Sequence, residues 1–157
     1  MNIELISGGP EETQRIGRVL GQVACPGQVF LLTGPLGAGK TCFTQGILWG
    51  LGSDEIARSP TFVIVSQYDA RLTLYHVDLY RLGSALDVFD LGLDECLNGD
   101  GITVVEWADK APGLLGDEYM SIAIEPIDDE IRRIALSATG SAYTSAIDAM
   151  KHPRGIL

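Results

Sequence analysis

The residues with the clearest chemical pattern lie in one glycine-rich segment, Gly34-Pro35-Leu36-Gly37-Ala38-Gly39-Lys40-Thr41. This segment matches the phosphate-binding pattern G-x-x-x-x-G-K-[ST] at every fixed position. Glycines let backbone N–H groups turn towards phosphate oxygens, the lysine reaches the β- and γ-phosphates, and the threonine hydroxyl can ligate Mg²⁺. The pattern predicts a nucleoside triphosphate site with these cofactor-binding residues: Gly34, Leu36, Gly37, Ala38, Gly39, Lys40, Thr41 and Cys42.

The flanking sequence has the pattern that such a loop requires. Residues 28–33 form a short apolar run that predicts a buried strand. Residues 41–49 carry apolar side chains near helical spacing and predict a helix, which we expect Gly50 and Gly52 to end. The order of strand, loop and helix favours a phosphate site over a chance match in a chain with 19 glycines.

Two acidic residues each follow an apolar run that predicts a strand. Glu106 ends the run 102–105, which is the pattern of a Walker B acid, although aspartate is more usual there. Asp78 ends the run 72–77. Acids that hold Mg²⁺ at a phosphate site lie at the carboxyl ends of strands, but a solvated acid at a strand end is the common alternative. The pattern predicts Glu106 as the metal-site acid and Asp78 as a second candidate.

Four further features have both a functional and an ordinary interpretation. The segment Ser59-Pro60-Thr61-Phe62 lies where phosphate-hydrolysing proteins place a segment ordered by the γ-phosphate, but alone it is a turn before a strand. Arg132, beside Arg133, fits a nucleotide contact or a solvated hairpin face. Trp107 fits packing or a reporter of nucleotide state. His76 we interpret as a core or rim histidine, outside the mechanism.

The remaining patterns predict a mixed sheet. Residues 11–24 have the apolar spacing of an amphipathic helix, and residues 84–97 predict one or two short helices that begin at Ser84. Two hairpins are predicted, one joining strands 62–65 and 72–77 through a turn at residues 69–71, and one joining strands 121–125 and 131–137. We therefore expect an α/β, P-loop NTPase-like three-layer fold, with a mixed central sheet flanked by helices. Residues 1–157 are predicted to form a single domain with a weakly patterned tail from about residue 140.

The overall charge limits the class of partner. The chain has 21 acidic and 11 basic residues, a net charge of −10, which opposes direct binding to nucleic acid. It has no apolar run long enough for a membrane span and no basic secretion start, so we expect a soluble, cytoplasmic protein. The three cysteines are far apart and favour reduced structural thiols. The helix dipole could lower the pKa of Cys42, which leaves a redox role open.

Four blocks together give the chain a resemblance to one family. In order they are residues 36–41, residues 59–62, His76-Val77-Asp78-Leu79-Tyr80-Arg81, and Val105-Glu106-Trp107. With this order and spacing the chain resembles the TsaE (YjeE) family, the small ATPases of tRNA threonylcarbamoyladenosine biosynthesis. It departs from the family pattern at Pro35, where aspartate is frequent, and at Ala108-Asp109-Lys110, which replace a common proline-containing continuation.

The resemblance implies specific roles. ATP is the nucleotide, Thr41 and Glu106 hold Mg²⁺, and Asp78 joins Lys40 and Glu106 as a catalytic residue. Nucleotide-responsive or nucleotide-contacting positions are implied as well: Ser59, Thr61, Trp107, Pro10, Glu11 and Arg132. The implied partners are the protein subunits of the bacterial threonylcarbamoyl-transfer complex, with tRNA reached only indirectly.

Two other functions remain open from the residues. A small P-loop kinase for a metabolite would share the loop, but it needs arginines to clamp the transferred phosphate, and no such group is evident. A nucleotide-dependent interaction module would share the loop, the metal and the acid without essential hydrolysis. A GTPase is disfavoured because the chain has no N-K-x-D motif.

Overall fold

The computed structural model describes residues 1–59, 65–81, 92–110, 113 and 115–152. Within these ranges the strands are β1 (Asn2–Ser7), β2 (Val29–Thr33), β3 (Val65–Tyr68), β4 (Leu74–Asp78), β5 (Ile102–Glu106), β6 (Tyr119–Pro126) and β7 (Arg132–Thr139). The α-helices are α1 (Pro10–Val23), α2 (Lys40–Gly50), α3 (Asp94–Leu97) and α4 (Thr144–Lys151). Short 3₁₀ helices span Ala108–Lys110 and Ser141–Tyr143. None of the described helices is long and apolar enough to cross a membrane.

The seven described strands form one mixed sheet in the order β1-β7-β6-β2-β5-β4-β3. The three central contacts, β6 with β2, β2 with β5 and β5 with β4, are parallel. The outer contacts, β1 with β7, β7 with β6 and β4 with β3, are antiparallel. Short turns join two of the antiparallel pairs, β3 with β4 and β6 with β7, whereas β1 and β7 are far apart in the chain. The connection that follows β2 contains α2, as expected for a strand that lies parallel to its neighbours. The predicted mixed sheet with flanking helices is confirmed.

Alternating side chains divide the sheet into two faces. On one face Phe30, Val104 and Ile122 belong to the main core, which also contains the buried sides of α1, α2 and α4. On the other face Val77 and Val105 form a smaller cluster, with Leu97 of α3 packed against it. His76 and Glu106 alternate with Val77 and Val105 and therefore lie on the face of the main core, towards α2.

The two helices α1 and α2 pack with their backbones in contact. Each carries two glycines four residues apart at the contact: Gly17 and Gly21 in α1, and Gly46 and Gly50 in α2. A Cβ at Gly21 would lie 2.2 Å from the carbonyl oxygen of Ile47, and a Cβ at Gly46 would lie 2.1 Å from that of Gln14. We call this contact the glycine seam. It leaves room for no side chain larger than hydrogen.

Several boundaries differ from the sequence predictions. Both hairpins are confirmed, with the second extending over β6 and β7. The predicted helix end near Gly50 is confirmed, and Gly50 is the last residue of α2 and also belongs to the glycine seam. The expected start of the first hairpin strand at residues 62–64 and the helix start at Ser84 fall outside the described residues. Two elements were not predicted, β1 and α4, and α4 buries Ala146, Ile147 and Met150 in the main core.

Candidate functional site

The glycine loop, residues 34–39, connects the buried strand β2 to the first residue of α2. It turns sharply, with positive φ at Gly34, Gly37 and Gly39, a conformation that residues with a Cβ rarely adopt. At Gly34 space is limiting too, because a Cβ would lie 2.4 Å from the carbonyl oxygen of Ile124. Leu36 points outward from the loop and is 77% exposed.

The side chain of Lys40 lies inside the loop. Its Nζ donates hydrogen bonds to the carbonyl oxygens of Gly34, at 2.6 Å, and Pro35, at 3.0 Å. The same ammonium lies 3.9 Å from the centre of the Trp107 ring. Burial lowers the pKa of Lys40 from its ordinary value, and the carboxylates of Glu106, Asp78 and Asp109 act in the opposite direction. Lys40 is the cation at the centre of the site.

A second group of residues meets at the end of β5. The Thr41 hydroxyl donates to the Glu106 carboxylate, 3.1 Å from Oε1 and 3.4 Å from Oε2. The other side of that carboxylate contacts Nε2 of His76. Glu106 is 2% exposed, so the charged side chain is held almost entirely by protein groups. A hydroxyl and a carboxylate side by side are the oxygen donors that Mg²⁺ prefers, together with phosphates and water.

Asp78 lies directly beside Glu106, because the parallel register of β4 and β5 pairs these two residues. Its Oδ2 accepts a hydrogen bond from the Ser59 hydroxyl at 2.7 Å, and its Oδ1 accepts one from the Tyr80 backbone N–H at 2.9 Å. The structure thus brings the predicted residue Ser59 to the predicted acid. Thr61 lies outside the described residues.

Trp107 follows Glu106 and has an unusual backbone. Its φ of 60° makes it the one non-glycine residue with positive φ among those described. The ring packs against Tyr80 in a tilted arrangement, with centroids 4.9 Å apart and ring planes 45° apart, and the Lys40 ammonium lies over its face. Lys110 donates to the carbonyl oxygen of Tyr80. These contacts link the predicted Trp107 to the lysine of the glycine loop.

The remaining predicted residues lie around the opposite side of the loop. Arg132 donates from Nε to the Ala38 carbonyl oxygen at 2.9 Å and from Nη2 to that of Gly37 at 3.4 Å. The Cys42 thiol lies 3.3 Å from the carbonyl oxygen of Pro10. Glu11 is directed instead towards Arg15, 3.9 Å away on the same helix. Arg132 thus supports the loop backbone, and Pro10 and Cys42 lie together.

The suggestion that the helix dipole activates Cys42 was wrong. Burial raises the pKa of this thiol, and Arg132 acts in the opposite direction with a smaller effect. A raised pKa reduces the thiolate fraction at neutral pH, so the structure favours a structural thiol.

His76, expected to be a core or rim histidine outside the mechanism, is fully buried, but it contacts Glu106 of the site. The signal that could have found it is the alternation of β4, because His76 and Asp78 share a face. Connecting His76 to Glu106 also requires knowing that β4 and β5 are adjacent and parallel.

The fold and the site together define a class. This is an α/β protein in which a glycine loop joins a central strand of a mixed sheet to a helix, with two carboxylates beside the loop on the neighbouring strands. A family model described as threonylcarbamoyl adenosine biosynthesis protein TsaE matches residues 8–134. The chain belongs to the TsaE family.

Individual relatives agree with this membership. The tRNA threonylcarbamoyladenosine biosynthesis protein TsaE of Bacillus subtilis is 44% identical over 135 residues, covering 85% of this chain and 84% of the relative. The protein of the same name from Treponema pallidum is 41% identical over 132 residues, covering 84% of this chain and 98% of the relative. The crystal structure of YdiB from Bacillus subtilis superimposes with a TM-score of 0.84 at 37% identity, covering 97% of this chain and 95% of that one.

Proposed function

We propose that this protein is a Mg²⁺-dependent ATPase that acts in tRNA threonylcarbamoyladenosine biosynthesis. The observation that carries the proposal is the meeting of three groups at one end of the glycine loop. The ammonium of Lys40 lies within the loop, and the Thr41 hydroxyl lies 3.1 Å from the Glu106 carboxylate. A cation, a hydroxyl and a buried carboxylate at a helix start match what a metal-bound triphosphate requires.

Different residues of the site would bind the phosphates, the metal ion and the attacking water. The loop N–H groups and Lys40 would hold the phosphates, and Thr41 and Glu106 would hold Mg²⁺, which neutralises developing phosphate charge when bound. Asp78 is the carboxylate next to Glu106 in the sheet, with Ser59 and the Tyr80 N–H fixing both of its oxygens. This arrangement suits Asp78 to orient the attacking water.

The adenine would contact the other side of the loop. Pro10 and Cys42 lie together there, and Arg132 holds the loop carbonyls beside them. We propose this side for the base and the ribose.

The proposed partners are the protein subunits of the bacterial threonylcarbamoyl-transfer complex. Family membership supports that process, since the matching relatives carry its name. The net charge of −10 favours a protein partner, because a polyanionic RNA would be repelled by the isolated chain. We therefore propose that tRNA is reached through the complex, and that the ATPase is slow until the partners are present.

Two substitutions separate binding from hydrolysis. Lys40→Ala removes the ammonium that would contact phosphate, so we expect ATP affinity to fall roughly 10- to 100-fold. Glu106→Gln keeps the shape and an acceptor for Thr41 but removes the charge, so we expect Mg²⁺-free ATP binding to persist while turnover falls about 100-fold. Calorimetry measures the affinity, and phosphate release measures turnover.

The matched control for the lysine is Lys151→Ala. Lys151 lies on α4 and pairs with Asp148, away from the glycine loop, so we expect unchanged affinity and turnover. Normal turnover in purified Glu106→Gln protein would contradict the metal-ligand assignment.

The rate of ATP hydrolysis with and without the proposed partners tests the role in tRNA threonylcarbamoyladenosine biosynthesis. We expect ATP hydrolysis to rise when the threonylcarbamoyl-transfer subunits and tRNA are added, with modified tRNA accumulating only when the ATP is hydrolysable. Hydrolysis that ignores the partners but transfers phosphate to a metabolite would favour a kinase. Modification supported equally by a non-hydrolysable analogue would favour an interaction module.

A further inference from the structure

His76 is a polar residue that is fully buried in the fold. Burial of its imidazole ring costs free energy, so a functional contact would account for its presence at this position. Its side chain is fully buried in β4, on the same face as the fully buried Leu74. One ring nitrogen, Nε2, contacts Glu106, whereas Nδ1 is buried without a hydrogen-bond partner among the described residues. Buried polar atoms are normally paired, and an apolar residue would fill this core position at lower cost.

The partner of His76 is Glu106, whose side chain can rotate unless contacts fix it. Glutamate has three rotatable side-chain bonds, and Thr41 contacts the Glu106 carboxylate mainly through Oε1. His76 contacts Oε2, the other oxygen. The two contacts together fix the plane of the carboxylate, which one contact alone does not.

The sheet register explains why His76 reaches this oxygen. His76 pairs with Val104, and Asp78 pairs with Glu106, in adjacent parallel strands. His76 and Glu106 are thus diagonal neighbours on one face of the sheet, within reach of a long side chain.

We propose that His76 is a positioning residue, which donates from Nε2 to Oε2 of Glu106 and so keeps Oε1 directed at Thr41 and the glycine loop. The inference rests on the proposed function, because Glu106 is there the metal ligand. The hydrogen is assigned to Nε2, since an unpaired ring lone pair at Nδ1 is better tolerated in a core than an unpaired N–H. Hydrogen-bonding partners of this kind tune metal ligands in many sites.

Three substitutions at one position test the proposal. His76→Gln places an amide nitrogen as far from Cβ as Nε2 is, so it can still donate to Glu106. His76→Asn places its amide nitrogen nearer the backbone, at the position of Nδ1, and His76→Leu has no donor. We expect the Mg²⁺ concentration for half-maximal turnover to rise about 10-fold or more in His76→Leu and His76→Asn, and to stay within about threefold of wild type in His76→Gln.

A second measurement separates positioning from folding. Calorimetry with ATP in EDTA should give unchanged affinity in all three variants, because Lys40 and the loop N–H groups are not altered. Leu74→Ala is the matched control, since it loosens the same face of β4 without touching Glu106. We expect it to lower the Tm and to leave the Mg²⁺ dependence unchanged.

The outcomes distinguish this inference from the proposed function. Wild-type Mg²⁺ dependence in His76→Leu, or equal defects in the Gln and Asn variants, would overturn the positioning role and leave the ATPase proposal intact. Should His76→Leu fail to fold, the comparison of Gln with Asn decides alone. A wild-type protein without Mg²⁺-dependent hydrolysis would overturn both.

Discussion

The two sides of the candidate site are held by different means. On the loop side, α2 is fixed to α1 by the glycine seam, where backbone meets backbone. On the acid side, side chains make most of the contacts: His76 contacts Glu106, Ser59 contacts Asp78, and Tyr80 contacts Trp107. Backbone contact offers few alternative arrangements, whereas side-chain contacts can be exchanged by rotation. We therefore expect the loop side to keep its arrangement when a ligand binds, and any adjustment to occur on the acid side.

The largest loss of stability should come from a substitution in the glycine seam. A Cβ at Gly46 would meet the Gln14 carbonyl oxygen at 2.1 Å, so Gly46→Ala must separate the helices. We expect the free energy of unfolding to fall by about 3 kcal/mol. Denaturant unfolding measures it, with Gly9→Ala as the control, because Gly9 has extended backbone and open space around its Cβ position.

Equal stability of Gly46→Ala and Gly9→Ala would contradict a rigid loop side. It would mean that α1 and α2 separate at little cost and that the loop side is as adaptable as the acid side.

A medium effect should come from the contact between the two sides. The ammonium of Lys40 over the Trp107 ring is a cation–π interaction between the loop and the acid side. A double-mutant cycle with Lys40→Met and Trp107→Leu should give a coupling free energy of about 1 kcal/mol. The cycle cancels the separate loss of the Gly34 and Pro35 hydrogen bonds. A coupling near zero would mean that the two sides are stabilised independently.

The smallest effect should come from the hairpin turn that carries Arg132 to the loop. Asp128 Oδ1 accepts hydrogen bonds from the N–H groups of Glu130 and Ile131, and Arg132 donates to the Asp128 carbonyl oxygen. The N–H of Ile131, then that of Glu130, lower the pKa of Asp128 below its ordinary value of 3.8. The charged form is therefore favoured in the folded protein.

The sign of the pH dependence follows from this direction. The stabilisation by Asp128 is fully present above pH 3.8 and is lost as the pH falls through the lower folded value. We expect the Tm of wild type to exceed that of Asp128→Asn slightly at pH 7, and the difference to shrink below pH 3.8. A difference that grows on acidification would contradict the assignment.

Features that depend on neighbouring residues could be predicted from the sequence, whereas features that depend on contacts between distant residues could not. The glycine loop, the strand before it and Glu106 follow from neighbouring residues, because their patterns are local. The edge strand β1 has mostly exposed or partly exposed residues and pairs with β7, more than 120 residues away. The local sequence therefore has no pattern that predicts this strand. The contact between His76 and Glu106 likewise requires the sheet order.

The glycine seam is an intermediate case. The spacing of Gly17 and Gly21, and of Gly46 and Gly50, is visible in the sequence, but glycine is a poor helix former and Gly50 was expected only to end a helix. Only the packing of one helix on the other shows that a side chain does not fit at these positions.

The contacts of Lys40 have a consequence for selectivity. The ammonium has partners in two carbonyl oxygens and one ring face, so an arriving anion must compete for it and gains only the difference in free energy. A small anion that offers one contact gains little in this exchange. A polyphosphate that engages Lys40 and several loop N–H groups at once gains more, because its contacts form within one molecule. We therefore expect the site to discriminate by the number of linked phosphates and to ignore chloride and inorganic phosphate at concentrations where ATP binds.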